Sequence, residues 1–182
     1  MNRLCRPNLF PVVLLALGLA LHAPAHASVP LGYQQVADAY DLPPEVLYAV
    51  ALTESARQVD STGKVRPWPW TLNVRGRGHF FASRREAEAA LQDLLDQGRT
   101  SIDIGLMQVN WRYHRQRLGS PRLALDPYHN LRVAAEILHD CHQRRQDWWA
   151  AVGCYHAPNS PQRAARYRAR VRAHWRRVAR RG

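Results

Sequence analysis

Cysteine is scarce in this chain of 182 residues, which contains only Cys5, Cys141 and Cys154. No CxxC pair occurs, and no cluster of side chains has the spacing of a paired metal site. His139 and His142 flank Cys141, but two histidines three residues apart are a weak metal signal. These absences argue against a metal-binding module, and neither a metal nor an organic cofactor is predicted.

The sequence also lacks an apolar run of the roughly 20 residues that a helix needs to span a bilayer. The run at residues 9–21 is shorter, is preceded by Arg3 and Arg6, and is followed by the small-x-small sequence Ala25-His26-Ala27. This pattern predicts a signal peptide at residues 1–27, cleaved after Ala27, and export to the periplasm. An uncleaved anchor is the alternative. Cys5 precedes the apolar run, so it is badly placed for lipid attachment.

Removal of the signal would leave two cysteines, Cys141 and Cys154. Two cysteines in an exported chain favour a disulfide. Such a bridge would stabilise the fold by about 3 kcal/mol in the chain-entropy model. Two buried free thiols are the alternative.

Acidic residues are few, 14 against 26 lysines and arginines, which gives a formal net charge of +12. Without Arg3 and Arg6 the charge becomes 12 − 2 = +10. A balance of this kind attracts anionic partners, which in the cell envelope include anionic lipid, other anionic polymers and the stem-peptide carboxylates of peptidoglycan. A protein that binds nucleic acid would show the same excess of positive charge. The export signal and the lack of a recognised reading motif argue against a nucleic-acid partner.

No internal repeat and no long linker divide the chain, and most of it has helical periodicity. Helices are predicted for residues 33–40, after Pro43-Pro44-Glu45, from the Ser83–Glu86 capping box to Gly98, after Asp126-Pro127, at residues 148–155, and after Ser160-Pro161. Residues 70–74 and 79–81 are rich in β-forming residues around a turn at residues 75–78, which predicts a small hairpin. The fold class is therefore mainly α with a small β-hairpin insertion.

The last predicted helix carries an apolar stripe surrounded by arginines, formed by Ala164, Tyr167, Val171, Trp175 and Val178. The stripe predicts that a basic C-terminal helix at residues 161–182 packs on a domain at residues 28–160. Its arginines form either a solvated face or an anion-binding surface, which could attach the protein to the anionic envelope.

Glu54 is the first candidate for chemistry. It lies four residues after Val50 and three after Ala51, at the edge of an apolar helix face. Desolvation there would raise the pKa of the carboxyl, so that it holds a proton near neutral pH and can deliver it. A lone glutamate at a helix end is more often a surface residue.

Two further segments add polar groups. The sequence Gly105-Leu106-Met107-Gln108-Val109-Asn110 offers amide groups suited to sugar hydroxyl and N-acetyl groups, although alone it could simply begin a helix. In residues 151–158, Tyr155 could hydrogen-bond a carboxylate or a substrate, or be a half-buried tyrosine with a satisfied hydroxyl.

In this order, Glu54-Ser55, the Gly105–Asn110 segment and Ala-Val-Gly-Cys-Tyr-His resemble the soluble lytic transglycosylase domain, over roughly residues 29–158. The resemblance implies a lysozyme-like fold. The insertion at residues 68–74 and the continuation Asn110-Trp111 look most like the small transglycosylases that accompany conjugation and secretion machines.

The resemblance implies that Glu54 is the catalytic acid and base and that Ser55 helps to place the sugar. It implies a substrate-binding role for Gly105, Leu106, Met107, Gln108, Asn110, Tyr155 and His156. The family commonly has Tyr-Asn-Ala-Gly where this chain has Tyr155-His156-Ala157-Pro158, which changes that subsite. Asn130 matches an asparagine at a helix start, which is expected to be structural.

The implied activity is cleavage of peptidoglycan glycan strands by a monomer, with a conjugation or secretion complex as a further partner. A paired-carboxylate hydrolase would need a second acid near Glu54, and neither Asp60 nor Asp103 matches a catalytic position of the family. A hydrolytic muramidase and a non-catalytic peptidoglycan-binding scaffold are the alternatives.

Overall fold

The computed structural model describes residues 29–180. The predicted signal peptide lies outside the described residues. The helices are α1 (Leu31–Asp38), α2 (Pro44–Ser55), α3 (Arg84–Asp96), α4 (Trp111–Leu118), α5 (Pro121–Ala124), α6 (Pro127–Arg145), α7 (Trp148–His156) and α8 (Pro161–Ala179). The strands are β1 (Ala56–Gln58), β2 (Val65–Pro67), β3 (Thr71–Val74), β4 (Arg77–Phe80), β5 (Ile102–Ile104) and β6 (Val109–Asn110). The predicted class, a mainly helical lysozyme-like domain with a small β element, is confirmed.

Side-chain caps begin most of the helices. The hydroxyl of Ser83 accepts from the Glu86 amide at 3.3 Å, and the carboxylate of Asp126 accepts from the His129 amide at 2.9 Å. Ser160 caps α8 in the same way. These caps satisfy amides that have no partner within the helix, which is why the predicted starts of α3, α6 and α8 are confirmed.

Helix α2 forms the centre of the core. Val46, Leu47, Ala49, Val50 and Ala51 are all buried. Helix α8 packs against both α2 and α7. Its apolar stripe is buried except for Trp175, which is partly buried and meets the ring of Trp149 edge to face at 5.5 Å. The packing brings the inner face of α8 to the C-terminal end of α2.

The predicted hairpin is present as β3 and β4, but it belongs to a larger sheet of order β4-β3-β5-β6. Strands β1 and β2 form a separate antiparallel pair. Strands β5 and β6 have three and two residues, too short for a recognisable sequence pattern. The segment at residues 105–110 is therefore a turn followed by a strand, and the helix begins after it, at Trp111.

The sheet has two different faces. Leu72 pairs with Ile104, and both are buried against the core. Asn73 pairs with Asp103, which also pairs with Asn110, so these three polar residues share the opposite face. Directly opposed residues of antiparallel strands project to the same side.

A disulfide joins Cys141 in α6 to Cys154 in α7, with their Cα atoms 5.9 Å apart. The predicted bridge is confirmed, and it fixes the helix pair beside α8. Within residues 29–180, no helix combines the length and apolarity required to cross a bilayer.

Candidate active site

Glu54 lies one residue before the end of α2, where the helix meets α8. Its side chain is half-buried. The hydroxyl of Tyr167 in α8 donates to Glu54 Oε1 at 2.5 Å. The carboxyl group is therefore held in one orientation at a junction of two packed helices.

Burial raises the pKa of Glu54 to about 7. The hydrogen bond from Tyr167 opposes this shift, because it stabilises the charged form. The negative charge of Asp103 raises the pKa further, and the positive charge of Arg170 lowers it. At neutral pH the group is thus close to half protonated, as a residue that must both give and take a proton requires.

Tyr167 is a site residue that the sequence reasoning placed only in an apolar stripe. It is 1% exposed, and burial with the nearby Glu54 charge raises its own pKa well above the ordinary tyrosine value. Its hydroxyl therefore stays protonated and acts as a donor. A buried tyrosine hydroxyl usually needs a hydrogen-bond partner. That rule is the signal that could have linked α8 to a polar group in the core.

We expect the Tyr167→Phe variant to have a Glu54 pKa above the wild-type value of about 7. The substitution removes the donor to the carboxylate, and a charge-assisted hydrogen bond is equivalent to about one to two pKa units. Titration of ¹³C-labelled glutamate carboxyls by NMR measures the shift. The matched control is Tyr113→Phe, at a tyrosine that is 75% exposed. An unchanged or lowered Glu54 pKa would contradict the assigned bond.

The turn at Gly105 is anchored by the buried side chain of Asn130. Asn130 Oδ1 accepts from the Met107 amide at 2.8 Å, and its Nδ2 donates to the carbonyls of Ile104 and Ala124 at 3.0 Å each. Gly105 has a φ of +79°, and a Cβ there would lie 2.8 Å from Asn130 Nδ2. Glycine is required at this position by both its backbone angle and the close approach. The geometry supports the structural role expected of Asn130.

Three residues predicted to bind substrate have buried side chains: Ser55 is 1% exposed, Leu106 7% and Met107 0%. The Ser55 hydroxyl donates to the Leu106 carbonyl at 2.6 Å, so it ties the end of α2 to the Gly105–Asn110 segment. Buried side chains of this kind cannot reach a sugar directly. Their contribution to substrate binding, which stays a prediction, would have to come through the backbone that they position.

Gln108 and Asn110 bring amide groups to the surface of the same segment. Gln108 has a φ of +49°, and its Nε2 donates to the Gly105 carbonyl at 2.9 Å. Asn110 Oδ1 accepts from the Arg112 amide and caps α4, while its Nδ2 donates to Asp103 Oδ1 at 2.7 Å. Both side chains are half-buried, which leaves them partly accessible to a ligand.

Tyr155 and His156 are the last two residues of α7. The Tyr155 hydroxyl donates to the Met107 carbonyl at 2.7 Å. The exposed ring of His156 stacks on the ring of Tyr167, with centroids 4.2 Å apart and planes 3° from parallel. Partial desolvation of the ring, together with the charges of Arg170 and Arg163, lowers the pKa of His156. His156 therefore presents a neutral imidazole next to the Glu54–Tyr167 pair at neutral pH.

Asp103 is the carboxylate on the sheet whose charge reaches Glu54. Burial raises the pKa of Asp103, and the hydrogen bond from Asn110 opposes that shift. Asp60, the other acidic candidate, lies in the exposed β1–β2 loop with its carboxylate bound to Thr62. The structure thus brings Asp103, and not Asp60, towards the catalytic candidate.

The segments named above converge on Glu54 from α2, the β5–β6 turn, α7 and α8. In residues 29–180, no three histidine, cysteine or carboxylate side chains are grouped so as to hold a metal ion. The arrangement can protonate a bound oxygen atom and later recover a proton, with polar amides beside it to orient a ligand.

Residues 33–177 match the family model of the transglycosylase SLT domain. No curated protein and no solved structure matches the chain. The matched range begins in α1, covers every segment around Glu54, and includes Tyr167 in α8. The chain therefore belongs to the transglycosylase SLT domain family.

Proposed function

We propose that the protein is a lytic transglycosylase, which cleaves the β-1,4 bond from N-acetylmuramic acid to N-acetylglucosamine and leaves a 1,6-anhydromuramic acid end. The observation that carries the proposal is the half-buried Glu54, whose pKa is raised to about 7 and whose carboxyl is oriented by Tyr167. General acid catalysis requires a proton held in this way at neutral pH.

In the first step, protonated Glu54 gives its proton to the glycosidic oxygen. The bond from muramic C1 to that oxygen breaks, and N-acetylglucosamine leaves with a free 4-hydroxyl group. The carbonyl oxygen of the muramic 2-acetamido group stabilises the positive charge that develops at C1. Tyr167 then stabilises the Glu54 carboxylate, because its hydroxyl already donates to Oε1.

In the second step, the muramic 6-hydroxyl oxygen attacks C1, and the Glu54 carboxylate takes the proton of that hydroxyl. A bond between O6 and C1 forms, and the enzyme returns to its protonated state. One proton has moved from the 6-hydroxyl to the leaving sugar, and no water is consumed. A single acid suffices for both steps.

A hydrolytic muramidase is the second candidate, because the charge of Asp103 acts on Glu54. In a retaining hydrolase a second carboxylate forms a covalent intermediate with the sugar, which water then cleaves. Asp103 would be that group. Its hydrogen bond from Asn110 would hold it in place.

Mass spectrometry of digested, purified peptidoglycan separates the two functions. We expect 1,6-anhydromuramic ends, and we expect the Asp103→Asn variant to keep the same products. Loss of the Asp103 charge lowers the Glu54 pKa below about 7, so the rate above neutral pH should fall by less than about tenfold. Reducing ends that carry oxygen from ¹⁸O-water, with a loss of about 10³-fold or more in Asp103→Asn, would instead establish the hydrolase.

We further propose that the protein is exported to the periplasm, acts as a monomer, and opens the wall locally for an envelope-spanning conjugation or secretion apparatus. This role follows from the resemblance to the small transglycosylases of such machines. Fractionation of cells that express the full chain tests the location. Recovery of the unprocessed protein in the cytoplasm would contradict it.

A further inference from the structure

One side of α8 carries four exposed arginines next to the site. Arg163, Arg166, Arg170 and Arg177, here called the cleft-side arginines, follow one another at spacings of three, four and seven residues. This spacing places them along one side of a helix. Tyr167 lies at the edge of that side, and Arg170 Cζ is 5.5 Å from the centroid of its ring. Tyr167 donates to Glu54 and stacks on His156, whose pKa is lowered by Arg170 and Arg163, so these two arginines lie nearest the proposed reacting centre.

Among residues 29–180, none of these arginines forms an ion pair with a carboxylate, although the charge of Arg170 acts on Glu54 from a longer distance. Helix α8 contains no aspartate or glutamate, and Asp147 is the nearest acidic residue before it. Across residues 29–180, the ion pairs involve only Arg84 and Arg117.

The positive charge of these arginines affects the pKa values of two nearby histidines, His156 and His174. Desolvation is the main cause of the lowered pKa of both His156 and His174. The charges of Arg170 and Arg163 lower the pKa of His156 further, and those of Arg177 and Arg170 lower the pKa of His174 further. The mutual repulsion within a group of like charges decreases when an anion binds between them.

Resting on the proposed function, we propose that the cleft-side arginines bind the stem-peptide carboxylates of peptidoglycan, so that the enzyme selects strands that carry peptides. The glycan backbone of the substrate is uncharged, and the carboxylates lie on the stem peptide. That peptide is attached to the muramic acid, the sugar whose C1 bond Glu54 is proposed to cleave. A peptide next to the scissile bond would therefore meet a charged surface beside Glu54.

The chemistry of arginine suits this ligand. A guanidinium group is planar, stays charged at all relevant pH values, and can bind a carboxylate through two parallel hydrogen bonds. Four such groups along a helix side offer several positions for carboxylates spaced along a short peptide.

The test measures binding by calorimetry in the Glu54→Gln background, which prevents cleavage of the ligand. The ligands are soluble glycan oligomers of one length, either with stem peptides or with the peptides removed by an amidase and the lactyl carboxylates that this cleavage frees converted to amides. We expect the peptide-bearing oligomer to bind at least about tenfold more tightly. The added pair Arg163→Gln and Arg170→Gln should reduce this ratio to below about twofold. Lysine at both positions should restore it only in part, because lysine lacks the two-bond geometry.

The matched control is the pair Arg172→Gln and Arg176→Gln, two substitutions at exposed residues that remove the same charge from the opposite side of α8 and should leave the ratio unchanged. Equal binding of both oligomers by the parent protein would overturn the proposal. So would an equal loss in the two arginine pairs, which would indicate general attraction to the basic helix. Tighter binding to phosphatidylglycerol vesicles than to the peptide-bearing oligomer, lost equally in both pairs, would identify a lipid-binding surface instead.

Failure of the enzyme assignment has a different signature. If the wild-type protein binds peptide-bearing strands selectively but releases no anhydro ends, the transglycosylase assignment is wrong, while the proposed binding of stem peptides by the arginines stands. If the wild-type protein releases anhydro ends at equal rates from both kinds of strand, the transglycosylase assignment stands and the proposed selection of peptide-bearing strands is wrong.

Discussion

The Glu54→Gln variant is expected to cleave peptidoglycan at least about 10³-fold more slowly than the wild type, with little change in KM. Glutamine has nearly the shape of glutamate, and its amide oxygen can still accept from the Tyr167 hydroxyl, so the site keeps its structure. The amide has no acidic proton for the glycosidic oxygen. Release of soluble fragments from purified sacculi, followed over time, measures the loss.

Glu45→Gln is the matched control, since it makes the same chemical change at the N-terminal end of the same helix. It should cleave at the wild-type rate. Unchanged cleavage by Glu54→Gln would remove Glu54 from its role. Retention of sacculus binding by Glu54→Gln, together with loss of cleavage, would distinguish an enzyme from a scaffold whose binding is its function.

The Asn130→Ala variant is expected to lose about 3–5 kcal/mol of unfolding free energy. The substitution removes three hydrogen bonds and leaves the Met107 amide and the carbonyls of Ile104 and Ala124 without that partner in the core. A buried backbone group without a partner costs about 1–3 kcal/mol. Urea denaturation at pH 6 measures the difference.

Asn73→Ala provides the control for this effect, because the Asn73 side chain makes one exposed hydrogen bond, to the Gly76 amide. Its loss should be below about 1 kcal/mol. A similarly small loss for Asn130→Ala would mean that the β5–β6 turn is held by other contacts. In that case Asn130 would not be the anchor of the Gly105 segment.

Six of the eight helices in the described residues could be predicted from the sequence because their signals are local, whereas the short helices α4 and α5 were not predicted. Ser83, Asp126 and Ser160 cap helices whose apolar residues recur at a fixed period, and each of these starts is confirmed. The strands β1, β2, β5 and β6 have at most three residues, so no period can be recognised in them. They exist because partner strands distant in sequence complete their hydrogen bonds.

In the candidate site, too, local features could be predicted from the sequence and contacts between distant residues could not. Glu54 could be chosen as the catalytic candidate because its position on an apolar helix face and its resemblance to the family motif both point to it. The contact from Tyr167, by contrast, joins residues 113 positions apart. Nothing local to α8 indicates that partner, and the stripe pattern treats Tyr167 as an ordinary core residue. The direct role expected of Ser55 also depended on the packing, which directs its hydroxyl to the Leu106 carbonyl.

The long separation between Glu54 and Tyr167 has a consequence for biosynthesis. A ribosome completes α2 more than 100 residues before it reaches Tyr167. Until then, the carboxyl has no phenol beside it and no helix to shelter it from water. We therefore expect a chain truncated before α8 not to carry out the proposed cleavage, because Glu54 would lack both the Tyr167 hydroxyl and the helix that buries it. The surroundings of Glu54 are therefore complete only after α8, the last helix of the described residues, has been synthesised.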